Sequence, residues 1–162
     1  MAIDVPWSVL PEYHCFGCSP HNPSGLGLTF TPHEDGVEAR FELGRAFESY
    51  PGVVHGGLVG VICDETMGNL IVLARQVPAF TVSLRTRYVA PLLVGRPYRC
   101  LARLRDEEPG PLIHAYADVV DADGAVRATA TATYQSFDLA ELALPEDEIA
   151  LLSTRLATPN GA

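Results

Sequence analysis

Two acids sit where acids are costly. Asp64 and Glu65 fall inside V-V-H-G-G-L-V-G-V-I-C-D-E-T-M-G-N-L-I-V-L-A-R-Q, residues 53–76, where Leu58, Val59, Val61, Ile62, Leu70, Ile71, Leu73 and Ala74 are apolar nearly all round. A carboxylate in such surroundings is expensive unless it is paired or serves a purpose. At ~100° per residue, Gly57, Gly60, Val61, Asp64 and Gly68 share one helical face, a glycine-lined groove with one acid in it. Leu58, Ile62, Glu65, Asn69 and Val72 share a neighbouring face, where Glu65 can bond to Asn69 one turn on. A glycine in a helix interior costs about 1 kcal/mol against alanine, so a stripe of them predicts that something comes close to the backbone there. Asp64 is the candidate acid and Glu65, on the more apolar face, its rival.

The elements that must hold this groove can be read around it. The central stretch, residues 54–76, predicts a helix of about 20 residues, roughly 30 Å long and buried on most sides. Before it, G-L-T-F-T-P and V-E-A-R-F-E-L flank H-E-D-G and predict a hairpin with an Asp-Gly turn. In the second arm Val37, Ala39, Phe41 and Leu43 alternate with Glu38, Arg40 and Glu42, the pattern of a half-buried strand. After Pro78, residues 79–89 alternate Phe80, Val82, Leu84, Thr86 and Tyr88 with Thr81, Ser83, Arg85 and Arg87. Residues 96–105 set Tyr98, Cys100, Ala102 and Leu104 against Arg99, Leu101, Arg103 and Arg105. Residues 112–120 and 125–137 flank a D-A-D-G turn, and the strict Thr/Ala alternation of the last run suits a sheet face pressed against a helix. Residues 138–156 predict an acidic helical tail, with a frayed end at 158–162. One small sheet covers a buried helix only by curling around it, so the class is α+β, a curved antiparallel sheet wrapped around one long helix in a single domain spanning 1–162.

The loop at 14–26, H-C-F-G-C-S-P-H-N-P-S-G-L, places Cys15 and Cys18 beside His14 and His21. A metal site there would draw all four ligands from one short loop, and no second Cys or His pair follows at zinc-finger spacing. An ordered loop with Gly and Pro turns is the expectation, and no metal is assigned. Cys63 and Cys100 fall on apolar positions, which speaks against a disulfide framework.

Composition narrows the function classes. The 162-residue chain is 48% hydrophobic with a net charge of −9, and all its basic residues are arginine. Such an acidic chain argues against nucleic acid or an anionic membrane as the main partner. No charge-free apolar run long enough to span a bilayer and no basic-then-apolar leader is present. A soluble, cytoplasmic protein is the expectation.

Taken together, Y-P-G-V-V-H-G-G-L-V-G-V-I-C-D-E-T-M-G followed by A-F-T-V-S-L-R-T-R-Y-V-A-P-L resembles the hotdog-fold thioesterases, in particular the phenylacetate-pathway (PaaI-type) and mammalian-like thioesterase-superfamily branch. The similarity runs over roughly residues 15–137. It implies the hotdog fold, and hydrolysis of an acyl-CoA thioester in sites shared between the subunits of a homodimer or a dimer of dimers, with no cofactor beyond the CoA of the substrate. Gly57 matches the residue whose backbone N–H polarises the thioester carbonyl. Asp64 matches the acid that activates water or attacks directly, contributed by the opposite subunit. Thr81 matches the Ser or Thr that orients the nucleophile. Many members carry Asn about six residues before the His, where this chain has Ser49.

The residues support the same chemistry. The first N–H groups of a helix lack intrahelical partners and carry the positive end of its dipole. Gly56 and Gly57 there admit a carbonyl oxygen, forming an oxyanion site whose loss costs about 2.7–4 kcal/mol. A thioester is already activated, so one carboxylate and such a site suffice without a triad. His55 either touches substrate or caps the turn. Candidate catalytic residues are therefore Asp64, Gly57, His55 and Thr81; candidate substrate contacts are Gly56, Ser49, Glu65, Ser83, Arg85 and Arg87. Arg85, Arg87, Arg99, Arg103 and Arg105 lie on the polar side of their strands, where they either meet CoA phosphates or form a solvated sheet face. The alternative function is an acyl-CoA-binding sensor of the same fold without turnover.

Overall fold

The computed structural model describes residues 1–105 and 110–158. The frayed end expected at 158–162 therefore falls, apart from Thr158, outside the described residues. Six strands form one antiparallel sheet: β1 (Phe30–His33), β2 (Gly36–Glu42), β3 (Ala79–Tyr88), β4 (Pro97–Leu104), β5 (Leu112–Asp121) and β6 (Val126–Ser136). Their order is β1-β2-β4-β5-β6-β3. The helix α1 (Gly56–Arg75) leaves the chain between β2 and β3 and lies across the curved sheet, touching β2 to β6. A second helix, α2 (Glu146–Ala157), follows the sheet.

The expected alternation places the core. Val37, Ala39 and Phe41 of β2 and Tyr98, Cys100 and Ala102 of β4 are all buried toward α1. Ala128, Ala130 and Ala132 of β6 present only methyl groups to the helix, which lets the two backbones approach. By length and composition α1 could cross a membrane, but here its Ile62, Cys63, Met67 and Ile71 have no exposed surface and pack in the sheet. The helix starts on His55, whose side chain caps it, and ends on Gln76 in the left-handed conformation, φ 58°, with Pro78 beyond. The expected bounds, 54–76, start two residues before these and end one after. No disulfide links Cys15, Cys18, Cys63 and Cys100.

Three expectations need correction. The β1–β2 turn is built on Glu34 and Asp35, since His33 pairs with Gly36. Glu34 takes the left-handed φ of 48°, and Gly36 is needed because a Cβ there would lie 1.9 Å from the Ala102 carbonyl oxygen of β4. Glu38, expected on the polar side, is only 4% exposed: Arg40 at 2.6 Å and Arg99 at 3.4 Å supply the charges that let it be buried. Finally, Phe80 and Val82, expected to face the core, are 49% and 51% exposed. A bulge shifts the register between Thr81 and Ser83, and the extra residue reverses which side chains point inward.

Two segments outside the sheet complete the layer. Trp7, Val9 and Leu10 from the N-terminal side pack with Leu139, Leu142, Leu144, Ile149, Leu152 and Leu156 against Val72 of α1. The acidic tail expected over 138–156 is thus a 3-10 turn, Leu139–Glu141, followed by α2.

Candidate active site

The bulge in β3 sets the site. Its inward side chains pair in register with those of β6: Thr81 with Tyr134, Leu84 with Ala132, Thr86 with Ala130 and Tyr88 with Ala128. Simple alternation would send Thr81 outward if Leu84 and Thr86 face in; with the bulge, all of them face α1. Thr81 Oγ1 consequently donates to Asp64 Oδ1 at 2.8 Å. Tyr134, one strand over, donates its hydroxyl to the same oxygen at 2.8 Å and lies 3.0 Å from the Asp64 backbone carbonyl. Asp64 Oδ2 has no partner among the described residues, and the carboxylate is half-buried. Burial, and then the negative charge of Asp64, hold the Tyr134 phenol well above its ordinary value, so it stays a proton donor.

Tyr134 was not among the residues singled out from the sequence. The available signal was its place as the one aromatic at an inward position of an Ala/Thr run.

Asp64, Thr81 and Tyr134 open into a cavity of about 440 Å³. Its walls are largely apolar: Trp7, Leu10, Val72, Phe137, Leu142 and Leu144. The polar part of its lining holds Glu65, Asn69, Cys15 and Tyr13. Asn69 Nδ2 donates to Glu65 Oε1 at 3.0 Å, the one-turn contact expected from the helical spacing. Burial pushes the Glu65 carboxyl up to about 7, with the cysteine beside it adding to the shift. Cys15 is pushed down to about 5, chiefly by the hydrogen bond from the Cys18 thiol and with help from the backbone N–H groups of Cys18 and Gly17. Cys18 moves in the opposite direction, held up by Cys15 and by burial.

At the start of α1, His55 Nδ1 accepts the Gly57 N–H at 3.0 Å. The expected oxyanion donor is therefore engaged by its own cap, and His55 takes the capping role. The Gly56 carbonyl accepts from the Tyr88 hydroxyl at 2.6 Å. Ser49 is exposed in the turn before the helix, its N–H bonded to the Val53 carbonyl at 2.8 Å.

Ser83, Arg85 and Arg87 pair with Thr133, Thr131 and Thr129, on the outer face of the sheet and away from Asp64. The arginines do not form one patch, because β5 and β6 separate β4 from β3. Arg99 is paired to Glu38, and Arg103 to Asp118 at 3.0 Å, while Arg85 and Arg105 line one groove of the outer face with His114. His14 and His21 are exposed.

No family model and no curated protein sequence matches the chain. Solved structures do. A thioesterase-superfamily protein aligns with a TM-score of 0.66 at 24% identity over 72% of this chain and 57% of its own length, so the chain spans little more than half of that protein. A Streptococcus mutans protein, solved bound to acetyl-CoA, aligns at 0.65 with 19% identity, over 80% of this chain and 96% of its own. The Escherichia coli PaaI protein of the phenylacetic acid degradation operon aligns at 0.63 with 12% identity, over 69% of this chain and 80% of its own. At these identities the likeness is one of fold: this chain has the hotdog fold found in thioesterase-superfamily structures, as its sequence motifs lead one to expect.

Proposed function

We propose that this protein hydrolyses acyl-CoA thioesters, releasing CoA and the free acid, with Asp64 as general base or nucleophile. One observation carries the reading: a carboxylate fixed at Oδ1 by two hydroxyls, with Oδ2 unpartnered among the described residues, in the lining of a largely apolar cavity. Thr81 and Tyr134 orient Asp64, the cavity takes the acyl chain, and water activated at Oδ2 attacks the carbonyl carbon. The solved neighbours, one of them with acetyl-CoA bound, support a CoA ester as the substrate.

The oxyanion donor in this reading is Gly57 N–H of a second copy. Within one chain Gly57 is seven residues from Asp64, ~10.5 Å along the helix axis, a long span for one attacked carbonyl. Strand β3 is an unpaired edge of ten residues, with Phe80, Val82, Leu84 and Tyr88 all at least 38% exposed, the kind of edge that proteins cover with a partner. A homodimer, or a dimer of dimers, joined there would set α1 of one copy beside α1 of the other and complete two shared sites. For Gly57 to serve, the His55 imidazole must rotate off its N–H. Arg85 and Arg87 near that edge are the candidate contacts for the CoA phosphates.

The occupied Gly57 N–H favours one other reading, an acyl-CoA-binding sensor of the same fold. Release of free thiol from a panel of acyl-CoA esters separates the two. The expected result is turnover in the parent and none in Asp64→Asn, with acyl-CoA still bound by the variant. Hydrolysis by Asp64→Ala as fast as the parent would remove Asp64 from the mechanism.

A further inference from the structure

The loop at 14–26 does not stand off the surface. Its Cys-Phe-Gly-Cys turn is pressed onto α1 so tightly that a Cβ at Gly17 would lie 2.4 Å from Glu65 Cδ. Cys15 Sγ is 3.4 Å from Glu65 Oε1 and accepts the Gly17 N–H at 3.3 Å. Cys18, 6% exposed, lies beneath it, and the Cys15, Cys18 and Glu65 donor atoms are all within 4.8 Å of one another. Two thiols and a carboxyl together can carry three negative charges. Among the described residues no arginine or histidine is bonded to any of them, so the cluster lacks a cation.

Next to it is an orphan. Asn69 is 5% exposed, and its Oδ1 is buried without a hydrogen-bond partner. Its Nδ2 meanwhile donates to the Glu65 backbone carbonyl at 2.9 Å and to Glu65 Oε1 at 3.0 Å, and lies 3.9 Å from Cys18 Sγ. The 3.4 Å between Cys15 Sγ and Glu65 Oε1 has the length of a tetrahedron edge. Zinc bonded to sulfur at ~2.3 Å and to oxygen at ~2.0 Å has S···O edges of about 3.5 Å and O···O edges of about 3.3 Å. Both short Asn69 donor contacts go to Glu65, its backbone carbonyl and its carboxylate, so the amide holds the carboxylate in place beside the thiols.

We propose that Cys15, Cys18 and Glu65 bind a zinc ion, its fourth position open to solvent in the cavity that Cys15 and Glu65 line, clamping the 14–26 loop to α1. The soft thiolates select zinc over magnesium or calcium. The N–H of Gly17 steadies the Cys15 thiolate, as hydrogen bonds from outside a metal's ligands generally do. Glu65, in this role, is a ligand and not the rival base. The assignment does not rest on the hydrolase reading, because it is measured without substrate.

The test uses the full chain purified without chelators and without a metal-affinity tag. Metal analysis after dialysis against zinc is expected to find one zinc per chain. Replacement with Co²⁺ should give a thiolate-to-cobalt charge-transfer band, lost in the Cys15→Ser/Cys18→Ser variant and kept in His14→Ala/His21→Ala. Alkylation mapped on peptides of the parent should find Cys15 and Cys18 protected by zinc and exposed when it is removed. That measurement decides the matter even if the cysteine variant fails to fold. A parent with no stoichiometric zinc and no thiolate–cobalt band, or zinc that leaves both cysteines open to alkylation, overturns the assignment.

Discussion

The Tyr134 hydroxyl bridges the side chain and the backbone of Asp64, 2.8 Å from Oδ1 and 3.0 Å from the carbonyl oxygen. One phenol thus fixes both the rotamer of the carboxylate and its place on the helix. A hydrogen bond to a charged group contributes about 1.5–3 kcal/mol. Tyr134→Phe should therefore lower kcat for thioester hydrolysis roughly 10- to 100-fold, with a much smaller change in KM. An unaltered kcat would mean that the phenol only fills space.

Thr81 holds the same oxygen from the other side. Thr81→Ser keeps the hydroxyl and should keep most of the activity, whereas the isosteric Thr81→Val should lose about tenfold or more. Equal activity in the two variants would show that the bulge does not serve the carboxylate.

Edge strand β3 predicts the assembly. Leu84→Asp places a charge on the exposed strand beside Gly60 and should convert the proposed dimer to monomers by gel filtration or sedimentation. Thiol release should fall with it, since in the proposed dimer each site draws its oxyanion donor from the second chain. A variant that stays dimeric and active would place the interface elsewhere.

Glu38 governs acid stability. Burial alone would raise its pKa, but the Arg40 hydrogen bond and the Arg40 and Arg99 charges outweigh it and hold the carboxyl below its ordinary value. A depressed carboxyl contributes stability that is full above the unfolded value of about 4.3 and is lost as pH falls through the folded value. Glu38→Gln should lower Tm at pH 7, and its gap to the parent should close below about pH 4. A gap that is constant with pH would assign the loss to packing rather than charge.

The alanine face of β6 predicts intolerance to bulk. Ala130 is 3% exposed, against α1. Ala130→Leu should destabilise by about 1–3 kcal/mol, read as a lower urea midpoint, while Thr131→Leu on the outer face should cost little.

Most of the frame was legible in the sequence because period and punctuation carry it. The alternation of residues 37–43, the Thr/Ala run of β6 and the helix between Gly56 and Arg75 all follow local rules, and the helical step alone put Glu65 in reach of Asn69. Thr81 was harder: one extra residue at the bulge reverses the parity of β3, and alternation has no means of announcing it. Tyr134 hid in a run of small residues. Cys15 and Glu65 are 50 positions apart, so the spacing within the 14–26 loop could suggest only ligands from the loop itself. Glu38 was read as a surface acid because alternation does not show that Arg40, two residues on, and Arg99, from β4, both pair with it.

The apolar wall of the cavity comes largely from Trp7, Leu10, Phe137, Leu142 and Leu144, on segments that flank the sheet, while Asp64, Thr81 and Tyr134 sit on the sheet and its helix. The depth of the pocket and the proposed bond-breaking apparatus are therefore written in different stretches of polypeptide. On the proposed hydrolase reading, exchange of the flanking pieces would re-tailor which acids are released while the carboxylate and its two hydroxyls stay as they are.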